Sequence, residues 1–158
     1  MTPTATIMRT APRASFRLIP RLGVDVAFAR SSGTVDGAIA AVDGVWPKRM
    51  RRIVRAGLSR WERPELIEDA ELLVTELVTN ALRHGRGDIG VRLHLSADRI
   101  RIEVRDGARE TPVLRTATSS DEDGRGLYIV RSIADDWGTS PDGTTTWCTL
   151  TLREGTTT

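Results

Sequence analysis

Glu71-Leu72-Leu73-Val74-Thr75-Glu76-Leu77-Val78-Thr79-Asn80-Ala81-Leu82-Arg83-His84 is the stretch on which the fold turns. Leu73, Val74, Leu77, Val78 and Ala81 recur at the spacing that stacks side chains on one face of an α-helix. Upstream the stripe takes in Leu66, Ile67 and Ala70, so a helix is predicted over 64–84, opened by Pro64 and ended by Gly85. Glu65, Glu68, Asp69 and Glu71 crowd its first turns, where the helix dipole favours anions. Glu76 and Asn80 stand four residues apart at the border of the stripe, so their side chains converge, one turn above the other. Alone, the pair reads as a partly exposed Glu beside an Asn of poor helix propensity.

Beyond His84 the period changes from 3.6 to 2. Ile89, Val91, Leu93 and Leu95 alternate with polar or small residues, Ser96-Ala97-Asp98 turns the chain, and Ile100, Ile102 and Val104 alternate again. This predicts an antiparallel hairpin with one buried face. Asp106-Gly107 breaks its second strand, and Ala108 to Asp123 reads as a long polar loop. A short helix is expected from about Leu127 to Ala134, and a strand from about Thr145 to Leu152. Upstream, Pro47 suits the first turn of another helix, in which Met50, Ile53, Val54 and Leu58 oppose Arg49, Arg51, Arg52, Arg55 and Arg60. Residues 1–45 read as an N-terminal extension, partly ordered at best, with only Val24–Phe28 and Ala38–Val42 hinting at strands. The expected organisation is this extension, a domain over 46–153 and a disordered tail over 154–158. The expected fold class is α+β, a two-layer sandwich whose mixed, mostly antiparallel sheet is covered by helices on one face.

A chain of 158 residues is the length of one ordinary domain. No stretch approaches the roughly 20 apolar residues that span a bilayer, and Met1 to Thr10 lacks a signal-peptide pattern, so a cytoplasmic address is expected. Cys148 is the only cysteine, which excludes an intramolecular disulfide and a cysteine-built zinc site, and strand alternation sends it to the core. Lys48, the only lysine, follows no glycine-rich run, so a P-loop is excluded. Gly85-Arg86-Gly87-Asp88-Ile89-Gly90 matches the dinucleotide fingerprint in letters, but it lies after a helix and before a strand, the reverse of what that site needs. The net charge of +2 conceals a split: residues 1–60 carry 11 basic and 3 acidic side chains, and residues 61–158 carry 12 and 18.

Three features converge on a nucleotide. Glu76 and Asn80 share a helix face, Asp106 ends a strand, and Gly124-Arg125-Gly126-Leu127 opens a helix, where free backbone N–H groups can hold phosphate. At these residues the sequence resembles the histidine-kinase-like, or GHKL (Bergerat), ATP-binding fold, in the version used by bacterial anti-sigma-factor serine/threonine kinases. Glu71 to His84 resembles its N-box, Val104-Arg105-Asp106-Gly107 the next box, Gly124-Arg125-Gly126-Leu127 the following one, and Gly143-Thr144-Thr145-Thr146-Trp147 the closing strand. The four occur in family order across about 47–152.

The resemblance implies ATP and Mg²⁺ as cofactors, with Asn80 coordinating the Mg²⁺ that bridges the phosphates. It implies Glu76 as the general base for an acceptor serine or threonine hydroxyl. Asp106 would accept a hydrogen bond from the adenine amino group, beside Gly107, with Thr145 supporting the ring. Gly124 and Gly126 would let backbone approach the phosphates, Arg125 would offset their charge, Leu127 would close that box, and 108–123 would form the lid. The implied partners are a sigma factor, an antagonist protein or both, and a homodimer is a family expectation. Two features depart from the pattern. Asp106-Gly107-Ala108-Arg109-Glu110 replaces Asp-x-Gly-x-Gly, and Asp121-Glu122-Asp123 sets three carboxylates beside the phosphate loop. The altered box supports the alternative of an ATP-binding interaction module without phosphotransfer. The arginine-bearing helix supports a third, less favoured reading, a nucleic-acid binder.

Overall fold

The computed structural model of the chain describes residues 14–19, 22–31, 38–107 and 122–153, and of 14–19 and 122–125 the backbone alone. Six strands form one sheet: β1 (Ala14–Ile19), β2 (Gly23–Phe28), β3 (Ile89–Leu95), β4 (Arg99–Arg105), β5 (Asp136–Thr139) and β6 (Thr145–Thr151), in the order β1-β2-β3-β4-β6-β5. Every pairing is antiparallel. Three helices lie over one face: α1 (Trp46–Arg60), α2 (Ile67–His84) and α3 (Glu122–Ile133). The chain is thus an α+β two-layer sandwich, with α2 in contact with both other helices and with the middle of the sheet.

Alternation along the strands decides which face is covered. Val24, Val26 and Phe28 of β2, Ile89, Val91, Leu93 and Leu95 of β3, Ile100, Ile102 and Val104 of β4, and Cys148 and Leu150 of β6 are all buried against the helices. From above, α1 contributes Trp46, Met50, Val54 and Leu58, and α2 contributes Ala70, Leu73, Val74, Leu77, Val78, Ala81 and Leu82. Burial pushes the Cys148 thiol up to about 12, which makes it a core group without thiolate chemistry at neutral pH. Among the described residues no helix is long and apolar enough to cross a membrane.

The opposite face is charged and self-neutralising. Asp25, Arg92, Glu103 and Trp147 stand side by side across β2, β3, β4 and β6. The Arg92 Nε donates to Asp25 at 2.7 Å, the Arg101 Nε to Glu103 at 2.6 Å, and the Arg101 guanidinium lies 4.2 Å from the centre of the Trp147 ring. Beyond Trp147 stands Gly138, where a Cβ would meet the indole at 2.9 Å. A glycine there lets the ring lie flat on the sheet.

Several elements differ from the sequence expectation. The hint at Val24–Phe28 is β2, whereas β1, whose alternation covers only Ser15 to Leu18, is absent from that expectation. Ala38–Val42 is not a strand; the chain turns at Asp43-Gly44, whose N–H groups both donate to the Ala40 carbonyl, and enters α1. Pro64–Leu66 forms a 3₁₀ turn, and the α-helix proper begins at Ile67. α3 begins at Glu122, before its apolar residues start, and the four-residue β5 was too short to show a period. The expected tail over 154–158 and the loop over 108–121 lie outside the described residues.

β2 is fastened to the helix layer by an aromatic pair. Phe28, 1% exposed, stacks on Trp46 with ring centroids 3.9 Å apart and planes 9° from parallel. Phe28→Ala should therefore destabilise the whole domain by about 3 to 5 kcal/mol, read as a lower urea midpoint in a single cooperative transition. A loss below about 1 kcal/mol would mean that β2 is not part of the cooperative unit.

Candidate functional site

Along α2 the boundary between buried and solvent-facing positions runs through Glu76 and Asn80, both half-buried. The helix places them one turn apart, beside a core that allows neither to turn inward. Burial pushes the Glu76 carboxyl above its ordinary range, and the nearby charge of Arg83 partly opposes the shift. The first turn of α3 closes on this carboxylate: a Cβ built on Gly126 would lie 2.8 Å from Glu76 Oε2. A side chain there would have to shift the carboxylate, the flexible end of Glu76.

At the other end of the pair α2 stops at Gly85, whose N–H donates to the Ala81 carbonyl at 2.9 Å. Gly85 is extended, so no left-handed turn requires a glycine here. Crowding does: a Cβ would meet the Asp106 Cβ at 2.5 Å, the Ala81 carbonyl oxygen at 2.6 Å and Arg30 Nη2 at 2.7 Å. Asp106 is held by its own backbone, its N–H donating to the Thr144 carbonyl at 3.0 Å and its carbonyl accepting from Arg86 N–H at 2.8 Å. Gly107 follows with φ +69°, and a Cβ there would strike the Arg86 carbonyl oxygen at 2.6 Å.

The fold therefore brings Gly126 to Glu76, and Asp106 to the end of the helix that carries Glu76 and Asn80. Gly124 and Arg125 lie in the first turn of α3, of which the backbone is described. Leu127 is buried, 8% exposed. Thr145 does not join the group. It stands opposite Arg105 and lines a concavity of about 490 Å³ on the uncovered face, together with Asp25, Gly90, Arg92 and Glu103. Its neighbour Thr146, 7% exposed and opposite Val104, is the one on the helix side. The alternation that sends Cys148 to the core already puts Thr146, two residues before it, on the helix side, and the pairing with Val104 agrees. The concavity is not the site: Arg92 on its wall is already engaged by Asp25, and Glu76 and Asn80 are on the other side of the sheet.

Sequence reasoning missed Arg30. It lies just past β2 in a stretch without periodicity, yet its guanidinium donates to the carbonyls of Ala81 and Gly85 at the end of α2. No sequence signal pointed to it.

A family model, the histidine kinase-like ATPase domain, matches residues 47–150, about two thirds of the chain, and the chain belongs to that family. It carries an ATP-binding module. None of the curated proteins searched matches it. Among the described residues no three His, Cys, Asp or Glu side chains gather to hold a metal. Mg²⁺ takes oxygen ligands and keeps most of them from water and phosphate, so a single amide oxygen is a chemically sufficient protein donor. Asn80 is the side chain that fits.

The position of Glu76 has a pH signature. Its folded-state pKa is raised by desolvation, so its contribution to stability is fully present below the ordinary glutamate range and is lost as pH rises through the raised value. Glu76→Gln removes the burial cost of the charge and should melt higher than wild type at neutral pH, the difference vanishing in acid. A variant melting lower at neutral pH would show that the Arg83 interaction outweighs desolvation.

Proposed function

We propose that the chain is a Mg²⁺-ATP-dependent serine/threonine kinase of the anti-sigma type, acting on an antagonist protein or holding a sigma factor in a partner-switching system. The observation that carries this reading is a half-buried carboxylate of raised basicity, Glu76, one helical turn from Asn80 and closed over by Gly126. Such a carboxylate is a better proton acceptor than an exposed one and is shielded from competing water. In this reading Glu76 takes the proton of the acceptor hydroxyl as its oxygen bonds to the terminal phosphorus, and the bond from that phosphorus to the ADP oxygen breaks. Asn80 holds the Mg²⁺, which when bound neutralises phosphate charge. Asp106 accepts from the adenine amino group beside Gly107, the backbone at Gly124 and Gly126 approaches the phosphates, Arg125 offsets their charge, and the buried Leu127 completes that box. On the closing strand, burial and register favour Thr146 over Thr145 for a place near the base.

A second reading, an ATP-binding interaction module without transfer, is supported by Ala108 and Glu110, which stand where the family box has freedom of backbone or glycine. The partner in either reading is a protein. For the nucleic-acid alternative, Lys48, Arg49, Arg51, Arg52 and Arg60 are exposed on α1, while Arg55 is gripped by Glu71 with two hydrogen bonds of 2.7 and 3.0 Å. We propose the cytoplasm as the place of action and 46–153 as the ATP-binding domain, with β1 and β2 completing its sheet.

Mg²⁺-ATP titration separates the readings. Wild type should bind, Asn80→Ala should lose at least about tenfold in affinity, and Glu76→Gln should bind within about threefold while transfer to a co-encoded antagonist falls about 100-fold or more. Wild type that binds and never transfers supports the module. Wild type that does not bind sinks both.

A further inference from the structure

Arg30 lies outside the residues that match the family model, and none of the four nucleotide boxes contains it. It nevertheless reaches the point where two of them meet. One guanidinium nitrogen donates to the Gly85 carbonyl and the other to the Ala81 carbonyl, so it closes the C-terminal end of α2 directly after Asn80. A helix end carries negative partial charge that a cation favours, and Arg30 adds a second donor to the Ala81 carbonyl, which already accepts from Gly85 N–H. The same guanidinium and the Cβ of Asp106 both crowd the place where a Gly85 side chain would stand, so Arg30 and Asp106 face each other across the missing methyl. Its Nε is buried without a hydrogen-bond partner among the described residues, although the residue as a whole is half-buried. The next residue fixes the segment: Ser31 gives its N–H and hydroxyl to Asp43, at 3.1 and 2.8 Å, and Asp43 is 3% exposed.

We infer that Arg30 is a positioning residue for the base end of the nucleotide site, holding Asp106 and the last turn of α2 in the relation that base recognition needs. The inference rests on the nucleotide reading above. It makes the segment after β2 part of the binding site, although that segment lies before the first family motif. Arg30 acts through the Asp106 carboxylate and the helix end, and the phosphates are served from Asn80 and α3. A defect at Arg30 therefore falls equally on every adenine nucleotide, whatever its number of phosphates.

The test measures dissociation constants for ATP, ADP and AMP, with melting temperatures, for wild type, Arg30→Gln, Arg30→Lys and Asp43→Asn. Arg30→Gln should weaken all three nucleotides by the same factor, about tenfold, and Arg30→Lys, which keeps the charge, should recover part of it. Asp43→Asn loosens the same segment and removes one of the two carboxylate charges that act on Arg30, but it leaves Asp106 and the Arg30 hydrogen bonds in place, and should lower the melting temperature while leaving affinity within about twofold. Unchanged affinity in Arg30→Gln overturns the inference. So does a loss confined to ATP, which would place the effect at the phosphates, or an equal affinity loss in Asp43→Asn, which would make Arg30 merely structural. If Arg30→Gln does not fold, the comparison of Arg30→Lys with Asp43→Asn decides by the same criteria. Wild type that binds none of the three overturns the nucleotide reading itself, an outcome distinct from all of these.

Discussion

The packing of α2 on the middle of the sheet is the constraint from which the rest of the molecule follows. Seven of its side chains are buried, and they leave the helix one azimuth and one height above β3 and β4. With the helix so fixed, Glu76 and Asn80 have no freedom except their own rotamers, and the helix must end beside the end of β4. The proximity of Asp106 to the last turn is a consequence of that packing. A site built on an element immobilised by its own core keeps its geometry without ligand, which is what preorganisation requires.

How much of this was legible depends on whether a residue belonged to a period. α2, α1 and the β3–β4 hairpin were legible because burial on one side imposes a repeat, and the repeat is visible in the letters. Glu76 and Asn80 were legible as exceptions to such a repeat, and Asp106 as the polar residue that ends one. β5 was too short to have a period. Gly124 to Leu127 was legible as the opening of a helix, but its start at Glu122 was not, because the apolar residues begin only at Leu127. Arg30 could not be found at all, because its role comes from contacts with residues more than fifty positions away.

The two faces of the sheet handle charge in different ways. On the open face Arg92 is engaged laterally by Asp25 and Arg101 by Glu103, and solvent screens what is left. These contacts order the surface and leave little field for a ligand. On the helix side Glu76 is partly desolvated and its carboxyl is raised, while the Arg30 guanidinium is lowered, first by burial, with Asp106 and Asp43 acting against the shift. Charges held at a cost in solvation are kept where geometry over-determines them, and such places coincide with function more often than solvated pairs do.

Two missing side chains bound the site. At Gly126 the absent methyl lets α3 close on Glu76, and at Gly85 it lets Arg30, the Ala81 carbonyl and Asp106 converge. The first lies inside a helix, where alanine has the better propensity, and a methyl there would have to shift the carboxylate end of Glu76. The second lies in extended backbone, where any residue is allowed, so its requirement is again a contact. Neither glycine is needed for its own backbone conformation. What sets them apart is what comes near them, Glu76 at one end and Arg30 with Asp106 at the other, with Asn80 on the helix between.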